Sequence, residues 1–413
     1  MKTSGYLKLF IIILLFFVSV KISNSQTGFL MGRQLGSAKD EYALNHVVDN
    51  NGNIFIAGKT NGIMDERNYG KNDGFLTKID SLGNTLWTKQ FGSDGDEDIL
   101  WSAIDNSGSV YITGSTTGTL GDRKFGKEDI FLIKFSPEGR AEWVKQIGTD
   151  STDIARGIYA DNNGYVYITG MTGGRLGKSN SGKTDCFLMK LDNMGKTVSV
   201  LQFGTPGDDC GYSVTGGPGS DIFICGTTWG DLSGRNKGFI DGFTGSFTNM
   251  LELKAYNQFG TDGFDIAMIL SVDGEGNQYV GGSTSGNFGG NQKGEGDAYI
   301  LKMNPQGEIL WNKQFGTEKH DGVRGIAASS DKILISGLLH LPPAEAFIRM
   351  YRKDGEFVWE RKFIAQGKNG DTSGKDVNID KRGIIYHMGL TGANLFSPNN
   401  GEHDFYIVKL LSD

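Results

Sequence analysis

The sequence lacks the short motifs that mark several common enzyme classes. Neither a Gly-x-Ser-x-Gly nucleophile elbow nor a His-Glu-x-x-His zinc site occurs anywhere in the chain. No stretch beyond the N-terminal segment has the periodicity of an amphipathic helix, and no Asn-x-Ser/Thr glycosylation site is present. These absences argue against a helical fold and leave no catalytic motif from which to infer an activity.

What the chain has instead is a repeat. The tripeptide Gln-(Phe/Leu/Ile)-Gly occurs six times, and each glutamine follows the previous one by 56 residues. A constant period of this length is typical of stacked supersecondary units. The six copies begin at Gln34, Gln90, Gln146, Gln202, Gln258 and Gln314.

Each period predicts four short strands. Stretches of β-branched and aromatic residues alternate with Asn-Gly and Asp-x-x-Gly turns, which supply the positive φ angles of tight hairpins. Glycine accounts for 63 of the 413 residues, about twice its usual share of ~7%. We therefore predict an all-β, seven-bladed β-propeller with four-stranded blades over residues 26–413. Its repeats begin near residues 34, 90, 146, 202, 258, 314 and 362.

The two ends of the chain predict how the ring closes. The seventh unit stops after its third strand, Tyr406 to Leu410, so its fourth strand is missing. Residues 28–33 stand directly before the first repeat glutamine, and Met31 occupies the position that Trp87 and Trp143 hold in other units. Because an unpaired blade edge is unfavourable, we expect residues 28–33 to pair with the strand at 405–410.

Three strings carry a resemblance to a known family: Gln-Phe-Gly-Thr, Asp-x-x-Gly-Asn-x-Tyr-Ile-x-Gly-x-Thr and Asp-x-Phe-x-x-Lys. Through them, essentially all of residues 28–413 resembles the bacterial seven-bladed β-propeller repeat proteins (SBBP repeats). The strings are fold determinants, so the resemblance implies the architecture and is nearly silent on activity. The fourth and sixth units depart most from the pattern.

The first 25 residues predict a secretory signal peptide. Lys2 and Lys8 flank a short polar start, Leu9 to Val20 is an apolar core, and Ser23-Asn24-Ser25 has the small-x-small pattern of a cleavage site. The apolar core is too short for a comfortable membrane span. We expect an exported protein (secreted, periplasmic or at the cell surface) with no transmembrane span in the mature chain. The net charge of −7 disfavours nucleic acid as a partner.

Strand order assigns two faces to the ring. The turns after the first and third strands are short, whereas the second-to-third and fourth-to-first connections are longer and share one side, which we name the long-loop face. Acids recur on this face seven residues after each repeat glutamine. They either cap the backbone of their own loops or form a ring of ligands, and repetition favours the cap. The six are Glu41, Glu97, Asp153, Asp209, Asp265 and Asp321.

Metal binding has one weak candidate. Asp94, Asp96 and Asp98 resemble the start of a calcium loop, but Ile99 stands where an EF-hand needs glycine. We therefore expect no cofactor and no metal beyond a weak surface calcium site.

Three histidines break the repeat and are the candidates for catalysis. His320, His340 and His403 are predicted on the long-loop face of adjacent blades. They form either an acid/base or metal cluster, or three solvated loop histidines.

Ten residues after the repeat glutamine, at the start of the innermost strand, residue identity varies freely. On an acidic protein, three inward cations would form a positive centre suited to a uronate or sulfate, yet strand positions of degenerate repeats also vary without a function. The seven residues at this position are Leu44, Leu100, Arg156, Tyr212, Met268, Arg324 and Lys375. We name Arg156, Tyr212, Arg324 and Lys375 as candidate ligand-binding residues.

Two tryptophans also lie off the repeat. Trp229 is in the second-to-third loop of blade 4, and Trp101 is in the first strand of blade 2, nearest the axis. Each either stacks on a sugar ring or fills a gap in the packing, and Trp229 is a further candidate ligand-binding residue.

Cysteine placement predicts one cross-link. Cys210 and Cys225 are predicted on the first and second strands of blade 4, and an exported compartment permits a disulfide between them. Alignment with the other blades places them two residues out of direct register. Cys186, on the third strand of blade 3, is expected to be a free buried thiol.

Three functions are compatible with these observations. The sequence favours a secreted or surface propeller that binds a glycan or an extracellular protein on its long-loop face without catalysis. The alternative is a carbohydrate-active enzyme, a polysaccharide lyase or hydrolase with its site over blades 6 and 7, and a structural interaction scaffold is the third. An enzyme needs convergent off-repeat polar residues in one pocket, which is a question of tertiary structure.

Overall fold

The computed structural model describes residues 28–412 except 178, 235, 291, 368 and 369. Over these residues the chain forms seven four-stranded antiparallel sheets, the blades of a β-propeller, as the repeat predicts. The signal peptide expected over residues 1–25 lies outside the described residues. Within them, the single helical element is the 3₁₀ turn Pro218–Ser220, and no helix has the length and apolar character that a membrane crossing requires.

Each blade runs outward from the ring axis in chain order, because the first strands of neighbouring blades pack against one another around the axis. These innermost strands are β2 (Glu41–Val48), β6 (Glu97–Ile104), β10 (Asp153–Ala160), β14 (Asp209–Gly216), β18 (Asp265–Val272), β22 (Gly322–Ala328) and β26 (Thr372–Ile379). The second strands are β3 (Ile54–Thr60), β7 (Val110–Thr116), β11 (Val166–Thr172), β15 (Ile222–Thr228), β19 (Gln278–Thr284), β23 (Lys332–Leu339) and β27 (Ile384–Thr391).

The outer half of each blade completes the sheet. The third strands are β4 (Asp73–Ile79), β8 (Asp129–Phe135), β12 (Asp185–Leu191), β16 (Asp241–Phe247), β20 (Asp297–Met303), β24 (Glu345–Arg352) and β28 (Asp404–Leu411). The outermost strands are β5 (Thr85–Phe91), β9 (Ala141–Ile147), β13 (Thr197–Phe203), β17 (Leu253–Phe259), β21 (Ile309–Phe315), β25 (Phe357–Phe363) and, from the N-terminus, β1 (Phe29–Leu35).

The hydrophobic core is divided among the junctions between blades. Seven clusters of buried apolar side chains each combine residues of two adjacent blades, including blade 7 with blade 1. The two middle strands of a blade are covered on both faces by neighbouring blades, so most of their side chains are buried. This is why these strands read as nearly continuous apolar runs rather than as an alternation.

A buried glutamine–aspartate pair explains why the glutamine recurs in the repeat. In blade 1, Gln90 Nε2 donates to Asp73 Oδ2 at 2.7 Å and to the carbonyl of Gly62 at 3.0 Å, while its Oε1 accepts from the N–H of Met64 at 2.8 Å. The glutamine therefore ties the fourth strand to the third strand and to the loop before it. The other five repeat glutamines each donate to the equivalent aspartate. Each buried amide is thus paired, as buried polar groups must be.

The ring closes through the N-terminal strand, as the sequence predicts. Strand β1 pairs with β28, from Phe29 opposite Leu410 to Leu35 opposite Phe405. Gln34 Nε2 donates to Asp404 Oδ2 at 2.9 Å, so the pair that is local in the other blades here joins the two ends of the chain.

Met31 takes the place of tryptophan at this seam. In blade 1, Trp87 packs on Gly139 of the next blade, where an added Cβ would lie 3.0 Å from the indole. Met31 packs in the same way on Gly83, where an added Cβ would lie 2.5 Å from its Sδ. Gly83 and Gly139 both have positive φ, +87° and +83°. Both of these outer seams therefore use one large side chain packed on the glycine of a tight turn.

The cysteines require a correction. All three are free buried thiols in the structure. The register of blade 4 places Cys210 opposite Thr227 and Cys225 opposite Ser213, so the two cysteines are offset across the hairpin. The expected Cys210–Cys225 disulfide is absent for this reason, and the Sγ of Cys225 lies instead 3.5 Å from the carbonyl of Ala267 in blade 5. Cys186 is buried and free, as expected.

We expect deletion of residues 28–33 to lower the melting temperature sharply or to cause aggregation, because β28 would become a bare edge and Met31 would leave the core. Circular dichroism melts with sedimentation analysis measure both effects. The double substitution Phe29→Ser and Leu30→Ser is the matched control, since both side chains are exposed and surface changes cost about 0.5 kcal/mol or less. A truncated protein that melts with the intact one would contradict closure by this strand.

We expect all three thiols to be protected in the folded protein. Burial excludes reagent and raises the pKa of Cys210 to about 11, so little reactive thiolate exists at neutral pH. Titration with a thiol-specific disulfide reagent, without reductant, should detect almost no thiol in buffer and three per chain in denaturant. One thiol per chain in denaturant would indicate a disulfide and contradict the structure.

Candidate functional site

A β-bulge interrupts the innermost strand of every blade. In each pairing of first and second strands, the register shifts at the same place and leaves one innermost residue without a partner across the sheet. The seven bulged residues are Leu44, Leu100, Arg156, Tyr212, Met268, Arg324 and Lys375. They are the same seven whose identity varies freely along the sequence.

The bulged residues come together at the axis. With Trp101, they line one cavity of about 280 Å³, which we name the axial pocket. Each innermost strand begins on the long-loop face, so the pocket lies toward that face. The structure thus brings Arg156, Tyr212, Arg324 and Lys375 into a single site, although they lie more than fifty residues apart in sequence.

The electrostatics of the axial pocket are one-sided. Its lining contains three cations and no acid. None of the three forms a salt bridge within the described part of the chain. The buried Nε atoms of Arg156 and Arg324 have no hydrogen-bond partner, and the Arg156 guanidinium lies 5.1 Å from the centre of the Tyr212 ring. Arg324 Nη1 lies 3.8 Å from Met268 Sδ, so the walls give these cations weak contacts but no carboxylate partner.

Burial lowers the pKa of all three cations, but at Arg156 the neighbouring Cys210, Tyr212 and Asp98 outweigh it and raise the pKa above its usual value. Burial lowers the pKa of Arg324 below its usual value, although an arginine stays charged at any physiological pH. Burial, together with the charge of Arg324, lowers the pKa of Lys375 to about 7. Lys375 is therefore the one group of this pocket whose charge changes near neutral pH.

A second cavity lies further along the innermost strands. It has a volume of about 300 Å³ and is lined by residues of all seven blades, and we name it the lower chamber. Trp101 lines both cavities. The indole therefore stands between them.

A buried polar network crosses the wall of the lower chamber and joins blades 7, 1 and 2. Asp376 Oδ2 accepts from Asn45 Nδ2 at 2.9 Å and from the N–H of His46 at 3.1 Å, and it lies 3.0 Å from His46 Nδ1. Asn45 Oδ1 accepts from the N–H of Ser102 at 2.9 Å. Sequence reasoning missed this network, although polar residues on an innermost strand were the signal. Because Asp376 and Asn45 are satisfied within the protein, the network links blades rather than forming an open site.

The structure does not bring the three candidate histidines together. His320 Nε2 lies 3.3 Å from Glu295, the N–H of His340 donates to Asp321 Oδ1 at 2.7 Å, and His403 Nδ1 lies 3.1 Å from Asp40. Between residues 28 and 412, gaps aside, no hydrogen bond, ion pair or ring contact joins any two of these histidines. Each is a separate residue of the long-loop face.

The recurring acids cap their own loops. In blade 2, Glu97 Oε2 accepts from the N–H of Ser93 at 2.9 Å, and its Oε1 accepts from Thr116 Oγ1 at 2.7 Å. The carboxylates of the other five accept from the backbone N–H four residues earlier in the same way. Their repetition therefore reflects loop geometry.

The acids of the calcium-like segment have partners of their own. Asp96 Oδ2 lies 3.3 Å from Lys71 Nζ, and Asp98 Oδ1 lies 2.8 Å from Lys59 Nζ. Across the described residues, no group of three or more His, Cys, Asp or Glu side chains could hold a metal ion.

Exposed aromatic residues mark blades 4 and 5 on the long-loop face. Trp229 is 50% exposed in the loop after β15. Phe239 and Phe264 stack with their ring centres 5.6 Å apart at the junction of the two blades. The equivalent positions between blades 1 and 2 hold the ion pair of Lys71 and Asp96. Sequence reasoning missed this phenylalanine pair, which aligning the repeats could have revealed.

A string with the spacing of a phosphate-binding loop also occurs, Gly-Lys-Ser-Asn-Ser-Gly-Lys-Thr at residues 177–184. Such a loop holds phosphate because it leads from a strand into the N-terminus of a helix. Here it connects β11 to the antiparallel β12. The pattern is therefore a coincidence of a glycine-rich propeller loop.

Comparisons with known proteins show the fold and leave the activity open. An uncharacterized WD repeat-containing protein of Acanthamoeba polyphaga mimivirus is 22% identical over 213 residues, which is 41% of this chain and 15% of that protein. The regulatory protein FlaEY of Caulobacter vibrioides is 25% identical over 171 residues, 37% of this chain and 18% of that protein. The chain thus spans less than a fifth of the length of these curated relatives.

Among solved structures, an ulvan lyase bound to a saccharide of glucuronic acid and sulfated rhamnose superposes with a TM-score of 0.53. The match covers 92% of this chain and 96% of the lyase at 10% sequence identity, and so concerns the fold alone. The family model of the SBBP beta-propeller repeat matches at residues 33–63 and 142–177. These segments are therefore SBBP beta-propeller repeats, which confirms the family that the repeated strings indicate.

Proposed function

We propose that this protein is an exported, non-catalytic binding propeller that holds an anionic group of a glycan, a carboxylate or a sulfate, in the axial pocket. The observation that carries the proposal is the convergence of three cations without acidic partners on one cavity at the ring axis. The signal peptide expected over residues 1–25 supports export, where a glycan ligand would be encountered.

The chemistry of the pocket matches such a ligand. Buried guanidinium N–H groups without acceptors are unfavourable, and a carboxylate or sulfate would satisfy them with charge-assisted hydrogen bonds. The same walls carry the apolar side chains of Leu44, Leu100 and Met268, which can cover the C–H face of a sugar. Apolar walls with a few placed polar groups are typical of small-molecule sites. On a chain with a net charge of −7, this pocket is a local positive focus for an incoming anion.

The pocket also supports a second candidate, β-elimination of a uronate polymer. A neutral amine can act as a general base, and the pKa of Lys375 is lowered to about 7 beside Arg324. In this reaction the amine would take the proton from C5, the carbon next to the carboxylate, a C4=C5 double bond would form as the C4–O bond breaks, and the leaving oxygen would take a proton from solvent water. The arginines would neutralise the carboxylate. Ultraviolet absorbance of the unsaturated product, measured with polygalacturonate, separates this activity from binding alone.

We expect removal of the two arginine charges to weaken anion binding. Arg156→Gln and Arg324→Gln should each lower the affinity for galacturonate about tenfold or more, since a hydrogen bond to a charged group contributes ~1.5–3 kcal/mol. Titration calorimetry at constant ionic strength measures the affinity, with sodium sulfate as a second probe and thermal melts to confirm folding. Lys196→Gln is the matched control, because Lys196 is an exposed cation on a short turn of the opposite face. Equal affinities for wild type and both arginine variants would place the site elsewhere.

We expect binding of galacturonate to weaken as pH rises from 6 to 9. The pKa of Lys375 lies at about 7, so the pocket carries three positive charges below this pH and two above it. Because the protonated amine attracts the anion, a bound anion stabilises that form and loses affinity when the proton leaves. Lys375→Arg, which keeps its charge over this range, should bind with little dependence on pH. A wild-type affinity that stays constant over this range would show that Lys375 does not contact the anion.

A further inference from the structure

Trp101 has the largest side chain among the seven residues that lie between the axial pocket and the lower chamber. The residue one position beyond each bulge is smaller in every other blade: Asn45, Gly157, Ser213, Ile269, Gly325 and Asp376. The indole packs against the core cluster between blades 2 and 3 and also against the core cluster between blades 5 and 6. In a ring of seven, blades 5 and 6 stand opposite blade 2. Trp101 therefore reaches across the axis.

A side chain that spans the axis changes the shape of the site. Without it, the axial pocket and the lower chamber would form one channel through the ring, since both are lined by consecutive residues of the innermost strands. With the indole between the two cavities, the axial pocket is closed at the end that Trp101 forms. It opens only toward the long-loop face. Its volume of about 280 Å³ is just below the ~300–1,000 Å³ that ligand pockets occupy. Such a cup admits the end of a chain and excludes a chain that passes through.

The charges on the two sides of Trp101 also favour a ligand that stops in the axial pocket over one that passes through the ring. On the long-loop side of Trp101, the three cations that line the axial pocket come from blades 3, 6 and 7. On its other side, the lower chamber is lined by Asp376 and by no arginine or lysine. An acidic chain that threaded the ring would leave the three cations and meet no arginine or lysine in the lower chamber.

We propose that the axial pocket recognises the terminal acidic residue of a glycan chain, inserted end-on, with Trp101 as the floor against which the sugar ring rests. The proposal rests on the anion-binding function above and adds its ligand class, a chain end rather than a chain interior. Aromatic faces suit this role because they are apolar, rigid and matched to the C–H face of a sugar. Trp101 is then a specificity-determining residue.

A length series tests end-on recognition. Galacturonate, its dimer, its trimer and a long polygalacturonate of known mean length are titrated calorimetrically into the intact protein at constant ionic strength. For end-on binding, the dissociation constant per chain should vary less than about threefold from the dimer upward, so the affinity per uronate unit falls in proportion to length. A constant affinity per uronate unit would mean that interior residues bind as well as ends, and it would overturn the proposal.

Fluorescence of the indole tests the floor. Galacturonate should change the intrinsic fluorescence of the wild-type protein, and Trp101→Phe should abolish most of that change at galacturonate concentrations that calorimetry shows to saturate the variant. Trp101→Ala, which joins the two cavities, should weaken binding of the monomer about fivefold or more, provided that its melt shows a folded protein. Trp143→Phe is the matched control, because Trp143 packs on Gly195 at an outer seam and its loss should leave the ligand-induced change intact.

The two proposals fail in different ways. If neither galacturonate nor sulfate binds the wild-type protein, or if binding ignores both arginines, the anion site and the end-on mode both fall. If binding depends on the arginines but the fluorescence change survives in Trp101→Phe, the anion site stands and Trp101 is not its floor. If the change is lost but affinity scales with the number of uronate units, the indole is near the ligand and end-on recognition is wrong.

Discussion

The structure depends on one buried pair, the repeat glutamine of a fourth strand and the aspartate that opens the third strand. A carboxylate without partners in the interior would cost several kcal/mol, and the glutamine amide satisfies it while also holding two points of the neighbouring loop. Six of the seven blades hold this pair, and in blade 6 Lys362 and Glu345 take the two places, with Lys362 Nζ 2.8 Å from Glu345 Oε2. The recurrence of the glutamine along the chain is the visible trace of this pairing, which also holds the loop between the second and third strands.

The same pair explains how an open chain becomes a ring. In blade 7 the aspartate is Asp404 and the glutamine is Gln34, supplied by the other end of the chain. The interaction that organises a loop within one blade here closes the propeller, with Met31 completing the apolar seam. Closure removes the exposed strand edge and lets blade 7 pack on blade 1 as the other blades pack on their neighbours.

The candidate binding site is formed by the seven positions at which the repeat does not fix the residue type. The bulge in each innermost strand leaves one residue without a partner in the sheet and turns it toward the axis, so a change at this position disturbs no hydrogen-bonded pair of strands. Seven such positions meet at one point, which allowed cations, an aromatic ring and apolar side chains to be combined there without cost to the blades. The long-loop histidines lack this geometry, because they lie in three separate loops, two of blade 6 and one of blade 7, and each contacts a different acid.

The sequence by itself determined the number of blades, the strands of each blade, the closing strand and the seven positions around the axis, because all of these follow from a period that local hydrogen bonds enforce. Only the tertiary structure decided which residues meet across the ring. The offset of Cys210 from Cys225, the separation of His320, His340 and His403, and the reach of Trp101 from blade 2 to blades 5 and 6 depend on curvature and on packing between blades. These contacts join residues that no periodicity relates, and so a repeat cannot encode them.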